Sequence, residues 1–253
     1  MRLLGGGGMI LILGGTAEAR ELADNLVAAG VPVTSSLAGR VARPRLPRGD
    51  VRIGGFGGPK AFADWIVDNG VTAVVDATHP FAERISASAE WACRSVDVAS
   101  LRLQRPGWNQ RAGDDWTWAD DLAGAASLIP SLGDRVLLTT GRQGLPAFAG
   151  VEDVWFLVRC VDPPEPPLPK QHQLLLSRGP YALEGELALI DDHRINLLVT
   201  KDSGGVHTEA KLDAARQRGL PVIVVRRPRN PVNETVDTVA DALDWARKRA
   251  HSE

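Results

Sequence analysis

The chain has 253 residues, enough for one large domain or two modest ones, since single domains usually run to about 100 to 200 residues. Apolar residues make up 44% and charged residues 24%, which excludes a disordered chain or a fibrous repeat and predicts a packed fold. The formal net charge of -2 excludes a general attraction to nucleic acid or anionic membrane, so any electrostatic function must come from local clusters.

The cysteines and the first residues of the chain indicate the cellular compartment of the protein. Cys93 and Cys160 lack CxxC or metal-like spacing, which favours buried thiols in a reducing compartment. No apolar run reaches the roughly 20 residues that span a bilayer, and the start lacks the features of a signal peptide. We therefore expect a cytoplasmic protein that contacts no membrane. Residues 1–8 are interpreted as a leader extension before a natural start at Met9.

Short β-branched and leucine-rich runs alternate with longer amphipathic segments, which predicts an α/β fold with parallel sheets covered by helices. In chain order, the predicted strands are 9–13, 32–37, 73–76, 99–103, 135–139, 154–158, 173–176, 196–199 and 221–225. The clearest predicted helices are 17–28, 60–69, 82–95 and 208–218. A helix-like stretch ends near residue 130 and a strand follows at once, so we predict domains over residues 9–133 and 134–253.

A glycine turn follows the first predicted strand. Gly14, Gly15 and Thr16 end that strand and open a helix that carries Glu18 in its first turn. Backbone N–H groups there can approach a phosphate at the positive end of the helix. The spacing departs from GxGxxG, so a plain tight connection is the alternative. We interpret these residues as the start of a cofactor site.

The second predicted strand ends in Ser35, Ser36, Gly39 and Arg40, about 20 residues after the turn. An NAD-binding fold usually has a carboxylate there, and this chain has none. Hydroxyls, a glycine and an arginine suit a 2'-phosphate, so the predicted cofactor is NADP, with a solvated polar turn as the alternative.

The third strand end carries Thr78, His79 and Pro80, at the sheet edge where open α/β folds bind ligands. His79 could donate to a cofactor phosphate or carboxamide or act as an acid, although a histidine before proline also shapes a turn. We interpret all three residues as cofactor-binding.

Three later strand ends combine glycine with hydroxyl and cationic residues, which suits an anionic ligand, with solvated loop charges as the alternative. They contain Thr140, Gly141 and Arg142; Ser177, Arg178, Gly179 and Tyr181; and Lys201, Asp202, Ser203 and Gly204.

An acid-free segment adds Arg40, Arg43, Arg45 and Arg48. It is short and lacks interleaved aromatic residues, so a small polycarboxylate fits it better than nucleic acid, and a solvated loop fits it equally well. The histidines have no paired ligand spacing and no nucleophile elbow occurs. We therefore predict no metal site, and a redox reaction would depend on an organic hydride donor.

Several ordered motifs together resemble the precorrin-6A reductase family, including the cobalt-precorrin-6A reductases, over nearly the whole chain. They are ILGGTAEAR from Ile12, SLAGR from Ser36, DATHPFA from Asp76, TTGRQGLPAF from Thr139, SRGPY from Ser177 and LLVTKDSGG from Leu197. The resemblance implies two Rossmann-like parallel-sheet domains facing a central cleft, with elements exchanged between the sheets. It also implies reduction by NADPH of one carbon–carbon double bond of precorrin-6A, a tetrapyrrole of cobalamin biosynthesis, to give precorrin-6B.

We expect direct hydride transfer followed or accompanied by protonation of the neighbouring carbon. Lys201 and Asp202 are the first candidates for substrate positioning or proton delivery, with Tyr181, His79 or water as weaker candidates for the acid. The expected substrate-binding residues are Arg43, Thr140, Gly141, Arg142, Ser177, Arg178, Gly179, Ser203 and Gly204. A non-catalytic NADP sensor and a reductase of another polycarboxylate are the alternatives. Neighbouring pathway enzymes are conceivable partners, and the sequence leaves open whether the substrate carries cobalt.

Overall fold

The computed structural model of the protein describes residues 8–39, 45–228 and 234–250. These residues form two compact units: the first comprises the chain up to Arg105 together with the segment after Pro228, and the second is Pro106–Pro228. Each unit contains its own six-stranded sheet. The fold is therefore α/β with two parallel sheets, as predicted.

The strands are, in chain order, β1 (Met9–Leu13), β2 (Val33–Leu37), β3 (Asp50–Ile53), β4 (Val71–Asp76), β5 (Ala99–Leu103), β6 (Asp115–Ala119), β7 (Arg135–Leu138), β8 (Trp155–Cys160), β9 (Gln171–Leu176), β10 (Leu197–Lys201), β11 (Pro221–Val225) and β12 (Thr235–Val236). The helices are α1 (Ala17–Ala28), α2 (Pro59–Asp68), α3 (Glu83–Ser95), α4 (Leu122–Leu132), α5 (Leu183–Asp192), α6 (Ala210–Arg218) and α7 (Val239–Ala250), with short 3-10 helices at Arg142–Phe148 and Val206–Thr208. All predicted strands and the four named helices are present, with ends shifted by at most a few residues.

The first sheet has the order β3-β2-β1-β4-β5-β12 and its strands are parallel. This is the Rossmann order, with a topological switch point beside β1. Alternate residues of β1 point to opposite faces, so Ile10 and Ile12 pack in a core with α1 and α7, whereas Leu11 and Leu13 pack with α2 and α3. Each such fully buried side chain stabilises the unit by about 1.5–3 kcal/mol.

The second sheet has the order β9-β8-β7-β10-β11-β6, again parallel. β7 holds the place that β1 holds in the first sheet. One face of this sheet packs against α5 and α6 through residues that include Leu137, Leu198 and Val224. Because the strands of each sheet are parallel, their carboxyl ends lie at one edge of that sheet, and the loops that follow them lie beside one another.

The predicted domain boundary after residue 133 is wrong. β6 pairs with β11 and α4 packs on the second sheet, whereas β12 pairs with β5 of the first sheet. The chain thus enters the second unit by adding β6 to an edge of the second sheet. After leaving that unit, it adds β12 to an edge of the first sheet. This arrangement confirms the expected exchange of elements. The Pro-Ser-Leu-Gly sequence after residue 129 marks the end of α4 and not a domain boundary.

Within the three described ranges, no helix is long and apolar enough to cross a membrane. The same residues contain no group of three or more histidine, cysteine, aspartate or glutamate side chains that could hold a metal ion.

Candidate functional site

The glycine turn connects β1 to α1. Gly15 has a φ of +118°, which favours glycine, and a Cβ atom at Gly15 would meet nothing within 4 Å. The Thr16 hydroxyl caps α1 by accepting from the Ala19 N–H at 3.1 Å, and it donates to the Ala77 carbonyl at 2.8 Å. Gly14 is packed more tightly, because its Cβ would lie 3.1 Å from Leu37 Cδ2. The turn is therefore fixed to the residue that follows β4 and leaves open space where a phosphate can approach.

A small crevice lies at the carboxyl ends of β1, β4 and β5. Its lining is formed by Thr16, Glu18, Ala77, Thr78, Pro80, Leu103, Gln104 and Arg105. The structure therefore brings the predicted residues Thr16, Glu18, Thr78 and Pro80 together. The Glu18 carboxylate pairs with Arg105 at 2.8 Å, a partner that sequence reasoning missed.

A buried ion pair supports the loop after β4. Arg102 on β5 is 1% exposed, pairs with Asp76, and also donates to the hydroxyls of Thr78 and Ser86 at 3.1 and 2.9 Å. Asp76 Oδ1 accepts from the Thr78 N–H at 3.1 Å and from its hydroxyl at 2.7 Å. The Thr78 side chain thus serves this network and shapes the loop. Sequence reasoning missed Arg102, although an arginine inside an apolar strand was a usable signal.

His79 lies in the same loop. Its Nδ1 accepts from the Phe81 N–H at 3.3 Å, so in the neutral ring the proton is on Nε2. The Phe81 ring centroid lies 5.8 Å from that of His79. This geometry is compatible with the predicted donor role of Nε2 and also with a role in shaping the turn.

The end of β2 carries two serines of different character. Ser35 is 1% exposed, and its hydroxyl has no hydrogen-bond partner in the part of the chain that the structure describes. The Ser36 hydroxyl accepts from Arg52 Nη1 at 2.8 Å. Gly39 has a φ of +70°, whereas Arg40 and Arg43 lie outside the described residues. Arg52 is a cation at this edge that sequence reasoning missed.

These features fit an anionic dinucleotide at the edge of the first sheet. The turn at Gly15 is open, and the buried hydroxyl of Ser35 has no hydrogen-bond partner among the described residues. No carboxylate follows β2 in the described residues up to 39. The residues present could hold the phosphates and a ribose by hydrogen bonds and charge.

In the second unit, the loop after β7 contains three of the predicted residues. Thr140 is 1% exposed, and its hydroxyl has no partner among the residues described. Gly141 has a φ of +74° and precedes the 3-10 helix that begins at Arg142. Arg142 Nη1 donates to the Pro163 carbonyl at 3.4 Å and so contacts the proline-rich loop between β8 and β9.

The loop after β9 is closed by Tyr181, whose hydroxyl donates to the Ser177 carbonyl at 3.1 Å. The Tyr181 N–H donates to the His207 carbonyl at 3.3 Å, which brings this loop to the segment that follows β10. Gly179 is close to the same carbonyl, since its Cβ would lie 3.2 Å from it. Arg178 lies exposed between them. Two of the predicted loops are therefore in direct contact.

A buried ion pair lies beneath this loop. The Arg159 guanidinium is 4.0 Å from the centroid of the Tyr181 ring and pairs with Glu186 of α5 at 2.5 Å. Glu186 Oε2 is buried and has no partner among the described residues. Neither Arg159 nor Glu186 was a candidate from the sequence.

Lys201 is the last residue of β10, and burial lowers the pKa of its ammonium group to about 8. The Ser203 N–H and hydroxyl donate back to the Lys201 carbonyl at 2.7 and 3.3 Å. The lysine is therefore held by a tight turn in a partly desolvated position. A lysine of this kind is a stronger acid than an exposed one.

Asp202 has a different environment from its neighbour. Its carboxylate accepts from the Trp108 N–H at 3.0 Å and pairs with Arg227 at 3.2 Å. Gly204 has a φ of +63°, and its Cβ would lie 2.1 Å from the Pro106 carbonyl oxygen. The Asp202–Gly204 loop is thus packed on the segment that enters the second unit. This geometry favours positioning, not proton delivery, for Asp202.

The two Rossmann-ordered sheets, the open glycine turn and the cationic strand ends are the features of an α/β protein of the dinucleotide-binding fold class. The family model described as "Precorrin-6x reductase CbiJ/CobK" matches residues 9–247. The chain belongs to this precorrin-6A reductase family, whose members are reductases that need a nicotinamide cofactor and act on a tetrapyrrole.

Individual relatives agree with this assignment. The chain is 54% identical over 238 residues to a precorrin-6A reductase of Rhodococcus erythropolis, covering 93% of this chain and 96% of that protein. It is 31% identical to a cobalt-precorrin-6A reductase of Salmonella typhimurium, covering 87% and 88%. A solved structure titled "CobK precorrin-6A reductase" matches with a TM-score of 0.90 at 40% identity, covering 96% and 97%. The predicted family and fold are confirmed.

Proposed function

We propose that the protein reduces one carbon–carbon double bond of precorrin-6A with NADPH, giving precorrin-6B in cobalamin biosynthesis. The observation that carries this proposal is the match to a precorrin-6A reductase structure across 96% of the chain, which includes both units. The local chemistry of each unit supports one half of the reaction.

The first unit would hold the cofactor. Gly14, Gly15 and the amino end of α1 would face its phosphates, and the loop containing His79 would lie beside it. The absence of a carboxylate after β2 and the presence of Ser36 support NADPH over NADH. When bound, NADPH supplies the hydride, so the task of these residues is to bind and orient it.

The second unit would hold the substrate. Precorrins carry acetate and propionate groups, and Arg142 and Arg178 supply cations at the carboxyl edge of the second sheet. The remaining substrate-binding candidates at this edge are Thr140, Gly141, Ser177, Gly179, Ser203 and Gly204. Arg43 stays a candidate from the sequence alone.

Lys201 is the preferred proton donor. Because burial lowers its pKa to about 8, the ammonium group is mostly charged at pH 7 yet releases its proton more readily than an ordinary lysine. Asp202 would hold the loop in place through Trp108 and Arg227. The Tyr181 hydroxyl already donates to the Ser177 carbonyl, which makes it a weaker candidate for the acid.

The test follows NADPH oxidation in the presence of precorrin-6A, with NADH for comparison and Lys201→Met as the variant. We expect kcat of Lys201→Met to fall by about 10²- to 10⁴-fold, the usual size of an acid–base contribution. In the wild type, kcat should be constant up to about pH 7 and fall as pH rises through the Lys201 pKa of about 8, because the proton is then lost. Lys170→Met is the control, since Lys170 is exposed and pairs only with Glu152 among the ion pairs found in the described chain.

Tight NADPH binding without oxidation in the wild type would sink the reductase proposal and favour a sensor or another polycarboxylate substrate. A wild-type rate that Lys201→Met leaves within threefold, with the same pH profile, would instead remove Lys201 as the acid and leave the reaction standing.

We also propose a cytoplasmic location. Cys93 and Cys160 are buried and unpaired, as expected in a reducing compartment. Burial raises the pKa of both thiols, that of Cys93 to about 12, so neither is a reactive thiolate at neutral pH.

A further inference from the structure

We propose that Arg52 is the residue that selects a 2'-phosphorylated dinucleotide, acting together with the hydroxyl of Ser36. This inference rests on the proposed use of NADPH and names the side chains that would recognise its extra phosphate. Arg52 lies in β3, twelve residues beyond Arg40, the cation that the sequence pattern assigned to the 2'-phosphate.

The sheet register places the two side chains together. β2 and β3 are parallel, and Ser36 is the register partner of Arg52, so both side chains lie on the same face near the carboxyl ends of their strands. In Rossmann-ordered sheets, the end of the strand next to the central one meets the ribose of the dinucleotide. β2 holds that place in the first sheet, beside β1.

The guanidinium is held in one position. Its Nη1 donates to the Ser36 hydroxyl at 2.8 Å and to the Gly54 carbonyl at 3.1 Å, and Nη2 donates to the Gly55 carbonyl at 3.1 Å. Its central carbon lies 3.7 Å from the centroid of the Phe56 ring. An arginine held by stacking and by backbone carbonyls loses little further conformational freedom when it contacts an anion.

The Ser36 hydroxyl is oriented by the same contact. A hydroxyl has one hydrogen to donate and two lone pairs that accept. Arg52 occupies a lone pair of the Ser36 oxygen, which leaves the hydroxyl hydrogen available as a donor to a phosphate oxygen. Arg52 would thus contact the phosphate with its own charge, and it would also orient the Ser36 hydroxyl as a second, neutral donor.

The electrostatic surroundings favour an anion at this place. Residues 33–39 and 51–58 contain no aspartate or glutamate, so no acidic side chain of either segment competes for the guanidinium. Burial also lowers the pKa of Arg52, which shows that its charge is partly desolvated, and a bound dianion would compensate that cost.

The alternative is that Arg52 only stabilises the turn after β3 through Gly54 and Gly55. The two roles differ in ligand selectivity. A structural arginine affects every nucleotide alike, whereas a phosphate-binding arginine affects only ligands with a 2'-phosphate.

The experiment measures binding of 2',5'-ADP and of 5'-AMP by calorimetry to the full-length protein. The variants are Arg52→Gln, which removes the charge, Arg52→Lys, which keeps the charge without the planar fork, and Ser36→Ala. Arg94→Gln is the matched control, because Arg94 is an exposed arginine of the same unit, in the last turn of α3, paired with Glu90. Thermal unfolding verifies that each variant is folded.

We expect the wild type to bind 2',5'-ADP at least tenfold more tightly than 5'-AMP. Arg52→Gln should lose about ten- to hundredfold in affinity for 2',5'-ADP, the usual effect of a charged hydrogen-bond partner, and stay within twofold for 5'-AMP. Arg52→Lys and Ser36→Ala should lose less, and Arg94→Gln nothing.

Two results would overturn the assignment of Arg52 while leaving NADPH use intact: equal losses for both ligands, or unchanged selectivity in folded Arg52→Gln and Arg52→Lys. A wild type that does not distinguish 2',5'-ADP from 5'-AMP would contradict the NADPH preference itself, and the role of Arg52 would fall with it.

Discussion

The two units share one strand order but differ in how each buried arginine beneath a strand-end loop is satisfied. In the first unit, Arg102 pairs with Asp76, and both oxygens of that carboxylate accept hydrogen bonds. In the second unit, Arg159 pairs with Glu186 through Oε1, and Oε2 has no partner among the described residues. The same fold therefore supports one closed polar network and one that is incomplete.

The difference concerns how rigid each loop is without ligand. A buried acceptor left without a partner costs about 1–3 kcal/mol, so the second network stabilises its loop less than the first. The first loop contains His79 and is fixed by five hydrogen bonds from Arg102, to Asp76, Thr78, Ser86 and two loop carbonyls. The second loop rests on the Arg159–Glu186 ion pair and the stacking of Arg159 on Tyr181, together with the two hydrogen bonds from Tyr181 to the Ser177 and His207 carbonyls. We therefore expect the loop containing His79, the proposed cofactor loop, to be more rigid than the loop containing Tyr181, the proposed substrate loop.

The largest effect should follow Arg102→Met. It leaves the Asp76 carboxylate buried without its charge partner, which should destabilise the first unit by about 3–5 kcal/mol. Amide hydrogen exchange, measured separately on peptides of each unit, checks this expectation because it reports local as well as global opening. The double variant Asp76→Asn, Arg102→Met should recover part of the loss. A loss below about 1 kcal/mol in Arg102→Met would show that the buried pair is not what fixes the loop.

Arg159→Met should destabilise the second unit by less, about 2–4 kcal/mol, because it removes one ion pair and one ring contact and not a fully connected network. Exchange should rise in the peptides that contain Tyr181 and Glu186 and stay unchanged in those of the first unit. Lys170→Met serves again as the exposed control. A loss as large as that of Arg102→Met would erase the proposed difference between the two networks.

The sequence predicted the residues that can be recognised from their immediate neighbours in the chain. Glycines and hydroxyls after apolar strands identified the turn at Gly15 and the loop containing Lys201, because strand ends of a parallel sheet share one edge. It missed Arg52, Arg102 and Arg159, because an arginine within a strand is usually solvent-facing. The apolar neighbours of Arg102 indicate burial, but only the sheet register shows what each arginine contacts.

The sixth strands could not be assigned for another reason. β6 pairs with β11, about a hundred residues farther along the chain, and β12 is two residues long. Neither strand was predicted from the sequence, and local periodicity does not reveal which sheet a strand joins, so a sequential boundary was the natural but wrong expectation. The edge strand β3 was missed because it has only four residues, two of them exposed, and alternation over four residues is too short a signal.

The smallest effect compares two helix caps. Thr16 caps α1 in the first unit and Asp121 caps α4 in the second, accepting from the Gly124 N–H at 2.7 Å. Alanine at either position should cost about 1 kcal/mol of unfolding free energy in its own unit, since each variant leaves one N–H of a first helical turn without its side-chain acceptor.

Only Thr16→Ala should also weaken nucleotide binding, by a few-fold, because the Thr16 hydroxyl additionally holds the glycine turn to the Ala77 carbonyl. Calorimetry with NADP⁺ distinguishes the two variants, and hydrogen exchange verifies that their stability losses are equal. If Asp121→Ala weakens NADP⁺ binding as much as Thr16→Ala does, the cofactor is not held by the first unit alone. The proposed assignment of the cofactor to the first unit and the substrate to the second would then be wrong. Asp121 lies in the second unit, and in the described chain its side chain bonds to α4 itself.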